Sequence, residues 1–559
     1  MRLLTEALCS TSKAQMATWG APNMVAYGSE SSLRAAQDRE VLLTGENLTI
    51  DQVVAVARQF SKVSLSDEAR VRVRAARDIV DHITDDELVY GLNTELGPLA
   101  HQLVPADRLE QYQISTIVGH AVAYGQLFET SSVRAMMLAR ANGMARAGVG
   151  VRGEIIDALI ELLNKEVHPI VRAGGSIGQA DLAEMSQIGL VLVGLGEAEY
   201  KGEIMPGDQA LKAVGMKPLV LQVKEALGLI SANGVTIGYG SIVIADAISV
   251  LDVFNLSAAL SLEAFGANLS IIHPAAARLK PHPGHIRTST RLRKLLQDSY
   301  LWKKGAARKL QDSLSFRCIP QVHGALDEAC DHLRQSMEIE LNSGGDNPIV
   351  SIEDGTIVSV GNFDVTNIAI AFDNLRVALV HVIRLANERL HKHLWSDFSA
   401  LPTGLARPEN PLTRLLPLAR TCSSLTAEAQ SLANPISLSY GSQLGEGVED
   451  HGSMAPLAVK ATARLIYVAR RVAALELMIS ASAIDMRGNP LLGKGTQIAY
   501  EIVHAHPSLD ANVWKTELER VVEAVSEGKL LYWANEAVTN TDIDEVKVAQ
   551  AQIKQGEQS

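Results

Sequence analysis

Aromatic side chains are scarce, at 4% of the chain, so few residues are available to build an aromatic cage around a cation. Cysteine is scarcer still. Cys9, Cys318, Cys330 and Cys422 are scattered without a CxxC pair, which excludes a disulfide framework and a thiolate metal site and points to a reducing cytoplasm. Long apolar runs are missing as well. The longest uncharged stretch, Ala226 to Ala245, contains Gly228, Ser231, Asn233, Gly234, Thr236, Gly238 and Gly240, a poor composition for a bilayer span, so no membrane partner is expected. Arg2 is followed by neither a continuous apolar core nor a small-residue cleavage pattern, so no secretory leader is expected. Basic excess is also absent: 51 Lys and Arg against 63 Asp and Glu give a net charge of −12, which argues against nucleic acid or an anionic membrane as the main partner.

What is present is a chain of 559 residues, 47% hydrophobic and 20% charged, long enough for a large core. Helical spacing dominates. Phe372, Leu375, Leu379, Val382, Ala386 and Leu390 step by three or four, as do Leu465, Val468, Val472, Leu475 and Ile479, and Ile155, Ile156, Leu159, Ile160 and Leu163 form a further stripe. Strands are expected only locally, for example either side of Glu353-Asp354-Gly355, where Asp-Gly favours a hairpin. The class read from these patterns is mainly α, a bundle of long helices. Residues 1–36 read as a flexible N-terminal extension, 37–250 as an N-terminal domain, 251–540 as a central bundle with C-terminal helices, and 541–559 as a polar tail.

Five Gly-, Asn- or Ser-rich segments interrupt the helices, and loops on a rigid scaffold are where polar site groups collect. Val89 to Gly97 offers the Tyr90 phenol as a proton acceptor. Gly174 to Leu182 is a glycine-rich turn entering a helix, but no Lys-Ser/Thr follows, so a phosphate cradle is a weak reading. Leu229 to Gly234 carries Asn233. Gln311 to Cys318 carries Arg317, whose planar fork suits a carboxylate, although a structural ion pair is the commoner use of an arginine. Gly447 to Met454 sets an acidic pair beside His451; without a second histidine at helical spacing no metal is expected there.

Taken in order, these segments resemble the aromatic amino acid ammonia-lyases and aminomutases, with histidine ammonia-lyase the nearest familiar member. The markers are Tyr90-Gly91-Leu92-Asn93-Thr94, Gly175-Ser176-Ile177-Gly178 with Asp181-Leu182-Ala183, Gly194-Leu195-Gly196-Glu197, Ser315-Phe316-Arg317-Cys318, Glu340-Leu341-Asn342-Ser343 with Asp346-Asn347-Pro348, Gly361-Asn362-Phe363, and Glu449-Asp450-His451. The resemblance runs from about residue 40 to about residue 535 and implies a homotetramer of the histidine/phenylalanine ammonia-lyase type, with each active site assembled from three subunits. It also implies catalytic or substrate-binding roles for Tyr90, Asn233, Gln311, Arg317, Phe363 and Glu449. His120 matches the histidine that the histidine enzymes place near their imidazole substrate.

The chain also departs from the family. Members carry Ala-Ser-Gly or a close variant between the glycine-rich lead and Asp-Leu, and that tripeptide cyclises to an electrophilic methylidene-imidazolone. Here only Gln179 and Ala180 separate Gly178 from Asp181, so no prosthetic group is expected to form. Leu314 stands in place of a tyrosine, Asp364 in place of a histidine, and Glu95-Leu96 in place of Gly-Phe. Without the electrophile the chemistry must be easier, and an α-trimethylammonium group, already cationic and leaving as a neutral amine, makes it so. The resemblance therefore narrows to the branch that lacks the imidazolone, ergothionase, and implies β-elimination of trimethylamine from ergothioneine or a similar imidazole-bearing betaine. On that reading Tyr90 takes the β-proton, Arg317 binds the carboxylate with Asn233 and Gln311 beside it, Glu449 and His120 hold the ring, and Asp364 and Glu95 face the quaternary ammonium. The alternatives are a conventional histidine ammonia-lyase or aminomutase and a non-catalytic small-molecule-binding paralogue.

Overall fold

The computed structural model describes residues 40–83, 88–407, 415–439, 443–504 and 513–539. The expected extension over 1–36 and the tail over 541–559 lie outside the described residues. Five helices carry the architecture: α1 (Leu182–Leu192), α2 (Gly240–Phe265), α3 (Ile319–Leu341), α4 (Thr366–Leu394) and α5 (Ala455–Met486). The stripes read from spacing are the packed faces. Phe372, Leu375, Leu379, Val382, Ala386 and Leu390 on α4, and Leu465, Val468, Val472, Leu475 and Ile479 on α5, are all fully buried. Burying several large aliphatic groups per helix, at roughly 1.5–3 kcal/mol each, is the main term holding the bundle together.

Helix α2 is buried on almost every face and ends at Gly266, whose φ of 68° closes it in the left-handed conformation that glycine adopts freely. The segment Glu225–Phe265 is apolar and long enough to cross a membrane, but 78% of its most apolar window is buried inside the protein, as the core helix of a bundle would be. The boundary expected at 250/251 is corrected by this helix: it would cut α2 in its middle, and a continuous buried helix is not a linker.

Helices α2, α4 and α5 run parallel. At one end Asn233, just ahead of α2, donates to the Phe363 carbonyl just ahead of α4 (2.6 Å), and Ser453, just ahead of α5, donates to the Gly178 carbonyl (3.0 Å). At the other end Ser261 of α2 meets His393 of α4 at 2.8 Å, and Arg487, after α5, donates to the Phe265 carbonyl. Helix α3 runs the opposite way, with Met337, near its C-terminus, against Gly240 at the start of α2.

Strands are short, of three or four residues each. β1 (Val41–Leu43) and β2 (Val63–Leu65) are parallel; β3 (Tyr124–Leu127) pairs antiparallel with β5 (Arg172–Gly174); β4 (Val167–Pro169), β6 (Glu197–Tyr200) and β7 (Glu203–Pro206) form an antiparallel sheet. β8 (Ile349–Ser351) and β9 (Thr356–Val358) make the hairpin expected around Asp354-Gly355, with Gly355 at φ 62°.

Register along the bundle is set by buried charge. Arg389 on α4 grips Glu476 on α5 through Nε (2.6 Å) and Nη2 (3.0 Å), both side chains are fully buried, and Ser257 on α2 donates to the same carboxylate at 2.8 Å. Breaking a buried pair leaves the other charge uncompensated, at about 3–5 kcal/mol. Glu476→Gln should lower stability by that amount, and adding Arg389→Met should recover most of it. Chemical denaturation of the three proteins checks this; a loss under about 1 kcal/mol for the single variant would contradict it.

Candidate active site

The loop carrying Tyr90 is tied down by its own polar residues. Asn93 Oδ1 accepts the Val89 N–H (2.9 Å), Thr94 Oγ1 accepts that of Gly91 (3.3 Å), and the Asn93 carbonyl accepts that of Val104 (2.9 Å). Gly91 has φ 69°, and a Cβ there would lie 2.5 Å from the Leu227 side chain, so the loop needs glycine both for its turn and for its close approach. Beneath it the fully buried Lys224 pairs with Asp346 at 3.0 Å, which gives the Asp346-Asn347-Pro348 marker a structural use.

Tyr90 is half-buried, and its hydroxyl oxygen accepts the Gly97 N–H at 3.3 Å. Gly97 in turn faces Glu449: a Cβ built on it would stand 3.5 Å from Oε1. Glu449 is held by paired backbone hydrogen bonds with Leu444 at 3.0 and 3.2 Å and is exposed in the single chain. Thus Tyr90 and Glu449, 359 positions apart by the numbering, flank one glycine. Glu95 lies on the same loop, half-buried, its backbone N–H bonded to Gln102 at 2.9 Å.

The segment Ser176 to Asp181 is folded around a buried carboxylate. Asp181 accepts the Ser176 hydroxyl (2.8 Å) and the Thr236 N–H (2.9 Å), while Ser176 Oγ accepts the Gly178 N–H (3.0 Å) and the Asp181 N–H reaches the Ala232 carbonyl (2.7 Å). Ala180 takes φ 60° to make the turn. Gly178 has no room for a side chain, since a Cβ would meet Ser453 Oγ at 2.2 Å. These residues do not fit an imidazolone. The serine that would be dehydrated is absent between Gly178 and Asp181, and Ser176, followed by Ile177 rather than glycine, is held by Asp181.

Burial pushes the Asp181 carboxyl up to about 6 and, with Asp181 adding like charge, Glu184 at the start of α1 up to about 7. Glu184 Oε1 accepts the Ser176 N–H (3.2 Å), and its Oε2 has no hydrogen-bond partner among the described residues. Lys460 on α5 donates to the Ala173 carbonyl, and desolvation pushes its ammonium down while the charges of Glu184 and Asp181 act the other way.

Asn233 lies against this segment, buried, with its amide on the Phe363 carbonyl and its Oδ1 buried without a partner among the described residues. One residue on, Asp364 has a different immediate partner from the one expected of it. Its Oδ1 accepts the Thr366 N–H (3.0 Å) and its Oδ2 lies 3.0 Å from His451 Nε2, so the carboxylate is turned onto a protein group rather than left facing open space. Gln179 donates through its side-chain amide to the His451 carbonyl. His120 ends the helix Leu109–His120, with Nδ1 on the Thr116 carbonyl at 2.7 Å, just ahead of the strand β3 that pairs with the lead into the Ser176 segment.

The structure does not bring Arg317 and Gln311 to this group within one chain. Phe316 stacks on Phe265 at 4.2 Å and packs edge-on to His393, which places the Leu314–Arg317 turn at the C-terminal ends of α2 and α4. Asn233, Phe363 and Asp364 sit at the N-terminal ends of the same helices, of 26 and 29 residues, so about 40 Å of helix separates the two groups. Gln311 and Leu314 are exposed at that far end.

Sequence reasoning did not single out His451, Gln179, Thr366, Glu184 or Lys460 as candidate site residues. His451 was in view within Glu449-Asp450-His451, but its contact with Asp364 was not. Glu184 and Lys460 carry no local signal, because charged residues on helices are usually solvated. Among the described residues no three His, Cys, Asp or Glu side chains converge as metal ligands.

Residues 48–505 match the aromatic amino acid lyase family. The chain is 33% identical over 505 residues to histidine ammonia-lyase of Alkaliphilus oremlandii, covering 89% of this chain and 99% of that protein. It is 36% identical over 511 residues to histidine ammonia-lyase of Clostridium tetani, covering 89% and 98%. It superposes on the ergothioneine-degrading ergothionase of Treponema denticola, seen in complex with desmethyl-ergothioneine sulfonic acid, with a TM-score of 0.85 at 29% identity, covering 88% of this chain and 100% of that one. Matches over this much of the chain make it a member of the aromatic amino acid lyase family, and so a carbon–nitrogen lyase.

Proposed function

We propose that the protein eliminates trimethylamine from ergothioneine, or from a similar imidazole-bearing betaine, to leave a conjugated acrylate, using acid–base chemistry without an imidazolone. The observation that carries this reading is the Gly178-Gln179-Ala180-Asp181 turn, which has no serine to make the electrophile but is otherwise built into the site by Ser176, Asp181, Thr236 and Ser453. A quaternary nitrogen has no lone pair with which to attack an electrophile and departs as a neutral amine, so its loss needs only a base at Cβ and stabilisation of the developing charge.

Tyr90 is the base, its hydroxyl oxygen positioned by the Gly97 N–H at 3.3 Å. Glu449, beside the same glycine, and His120 hold the thione-imidazole ring and exchange protons with it. The N-terminal ends of α2, α4 and α5 gather at this site, and their combined dipoles favour negative charge building on the ring and carboxylate. Asn233 and Phe363 line the floor, and Glu95 adds negative charge at the rim for the cationic nitrogen.

Arg317 and Gln311 supply the carboxylate site to a neighbouring copy. A carboxylate receptor about 40 Å from its own Tyr90 works only if another chain brings it near, so we propose a homotetramer whose active sites combine subunits. Cys318, Cys330 and Cys422 are free thiols, which fits work in a reducing cytoplasm, on a small molecule rather than on nucleic acid or a membrane.

The first test is to incubate the purified protein with ergothioneine and, separately, with histidine, following trimethylamine, ammonia and the ultraviolet rise of an acrylate. Trimethylamine from ergothioneine without ammonia from histidine is the expected result. Ammonia from histidine would establish the activity named for the curated relatives instead, and silence with both would leave a binding role. Tyr90→Phe should lower turnover by at least about 100-fold with the assembly intact by light scattering; retained turnover removes Tyr90 as the base.

The shared site has its own test. Tyr90→Phe and Arg317→Ala should each be inactive alone, whereas co-assembly in equal amounts should restore activity to about a quarter of the sites, those that draw both intact residues from different chains. No recovery in mixed assemblies, verified with two affinity tags, would mean that Tyr90 and Arg317 do not share a site.

A further inference from the structure

The reaction releases one proton, and the group that finally accepts it is not among the residues assigned above. The Cβ–H electron pair becomes the new Cα=Cβ bond, the C–N pair leaves with the nitrogen, and the proton passes to the base. A phenol that has just been protonated must lose that proton before the next turnover.

We infer that His451 is this acceptor and that Asp364 is its positioning residue, an inference that rests on the elimination reading above. His451 Nε2 lies 3.0 Å from Asp364 Oδ2 and 3.2 Å from Thr366 Oγ1. A carboxylate only accepts hydrogen bonds, so Nε2 carries the ring proton and Nδ1 keeps its lone pair. Asp364 is itself held, since Thr366 donates to it through both its backbone N–H (3.0 Å) and its hydroxyl (3.1 Å) at the start of α4. The backbone of His451 is fixed independently by Gln179, whose amide donates to its carbonyl. A carboxylate that orients one ring nitrogen and leaves the other free to take a proton is the arrangement of a general base with its orienting partner.

Place supports the role. His451 stands two residues beyond Glu449, and Glu449 faces the glycine whose N–H meets the Tyr90 oxygen. The imidazole is largely exposed in the single chain, 65% for its side chain, so it can pass a proton onward to solvent. Gln179 and Asp364 are also two of the positions at which the chain departs from its family, and both departures close on this histidine. When the proton arrives at Nδ1 the ring becomes an imidazolium opposite the Asp364 carboxylate, an ion pair that stabilises the charged product of the transfer.

The test uses the full-length protein and the substrate that it turns over. His451→Ala should lower kcat about 100- to 1,000-fold with KM changed by less than about threefold, and added imidazole should restore turnover in its unprotonated form. Asp364→Asn should cost about tenfold in kcat and change the pH profile, with Asp364→Glu recovering part of the loss. The charged and titratable groups on the elements packed against His451 are Asp364, with Glu340 beside it, Glu449 and Asp450 on its own loop, and Asp181, Glu184 and Lys460 behind the Gln179 turn. A KM effect with kcat intact, or no response to imidazole, would overturn the assignment, because a structural histidine is not replaced by a free one.

A second measurement does not depend on turnover. Carbethoxylation of His451 by diethyl pyrocarbonate, located by peptide mass, should be at least about fivefold slower in Asp364→Asn, since the oriented nitrogen is the nucleophile. Equal rates would overturn the pairing even if the enzyme is active. A protein that releases no amine from either substrate but shows the rate difference would retain the Asp364–His451 pair and lose the elimination reading.

Discussion

The structure depends on holding α2, α4 and α5 parallel in one register. Parallel long helices gain nothing from their dipoles, which align unfavourably, so burial and specific contacts must hold them. Arg389, Glu476 and Ser257 form such a contact between all three helices at one level, and nearer the N-terminal end of α2 Asp246 pairs with Arg470 on α5 and with Arg58 on the outer helix Ile50–Gln59. A buried ion pair is weak as a source of net stability but strong as a constraint, because a one-turn slip leaves both charges unpaired in the core. The consequence is that three N-termini meet at one end, where Asn233, Phe363 and Ser453 tie their entries to one another and to the Gly178 turn.

On the proposed reading, that convergence is what lets the chemistry proceed without an electrophile. The turn from Ser176 to Asp181 is specified by Asp181, Thr236 and Ser453 rather than by the residues at its tip, so the tip can change without unfolding the scaffold. What replaces the tripeptide is not empty loop. Gln179 reaches across to the loop before α5, and Asp364, on the entry to α4, reaches the same histidine. Behind them lie the buried carboxyls of Glu184, raised to about 7, and Asp181, raised to about 6, with the half-buried Lys460 pushed down by desolvation.

The fold class and most of its helices were legible because a face that must be buried has to repeat every three or four residues, and Phe372 to Leu390 and Leu465 to Ile479 do so without interruption. The 250/251 boundary was misplaced because α2 is buried all round and has no period to mark its extent. Tyr90 and Glu449 were legible as candidate site residues through their motifs, whereas the glycine that both flank was not. Asp364 was read as facing the quaternary ammonium of a substrate, since sequence does not tell that His451 lies beside it.

By itself the amino-acid sequence determined the helical class, the order of the family motifs and the absence of a serine between Gly178 and Asp181, because each is a property of neighbouring residues along the chain. Only the tertiary structure decided that Tyr90, Asn233, Asp364, Glu449 and His451 gather at one end of the bundle while Gln311 and Arg317 lie at the other. The reason is that α2 and α4 are rigid rods of about 40 Å, and which ends meet depends on packing between residues tens to hundreds of positions apart, which no local pattern records.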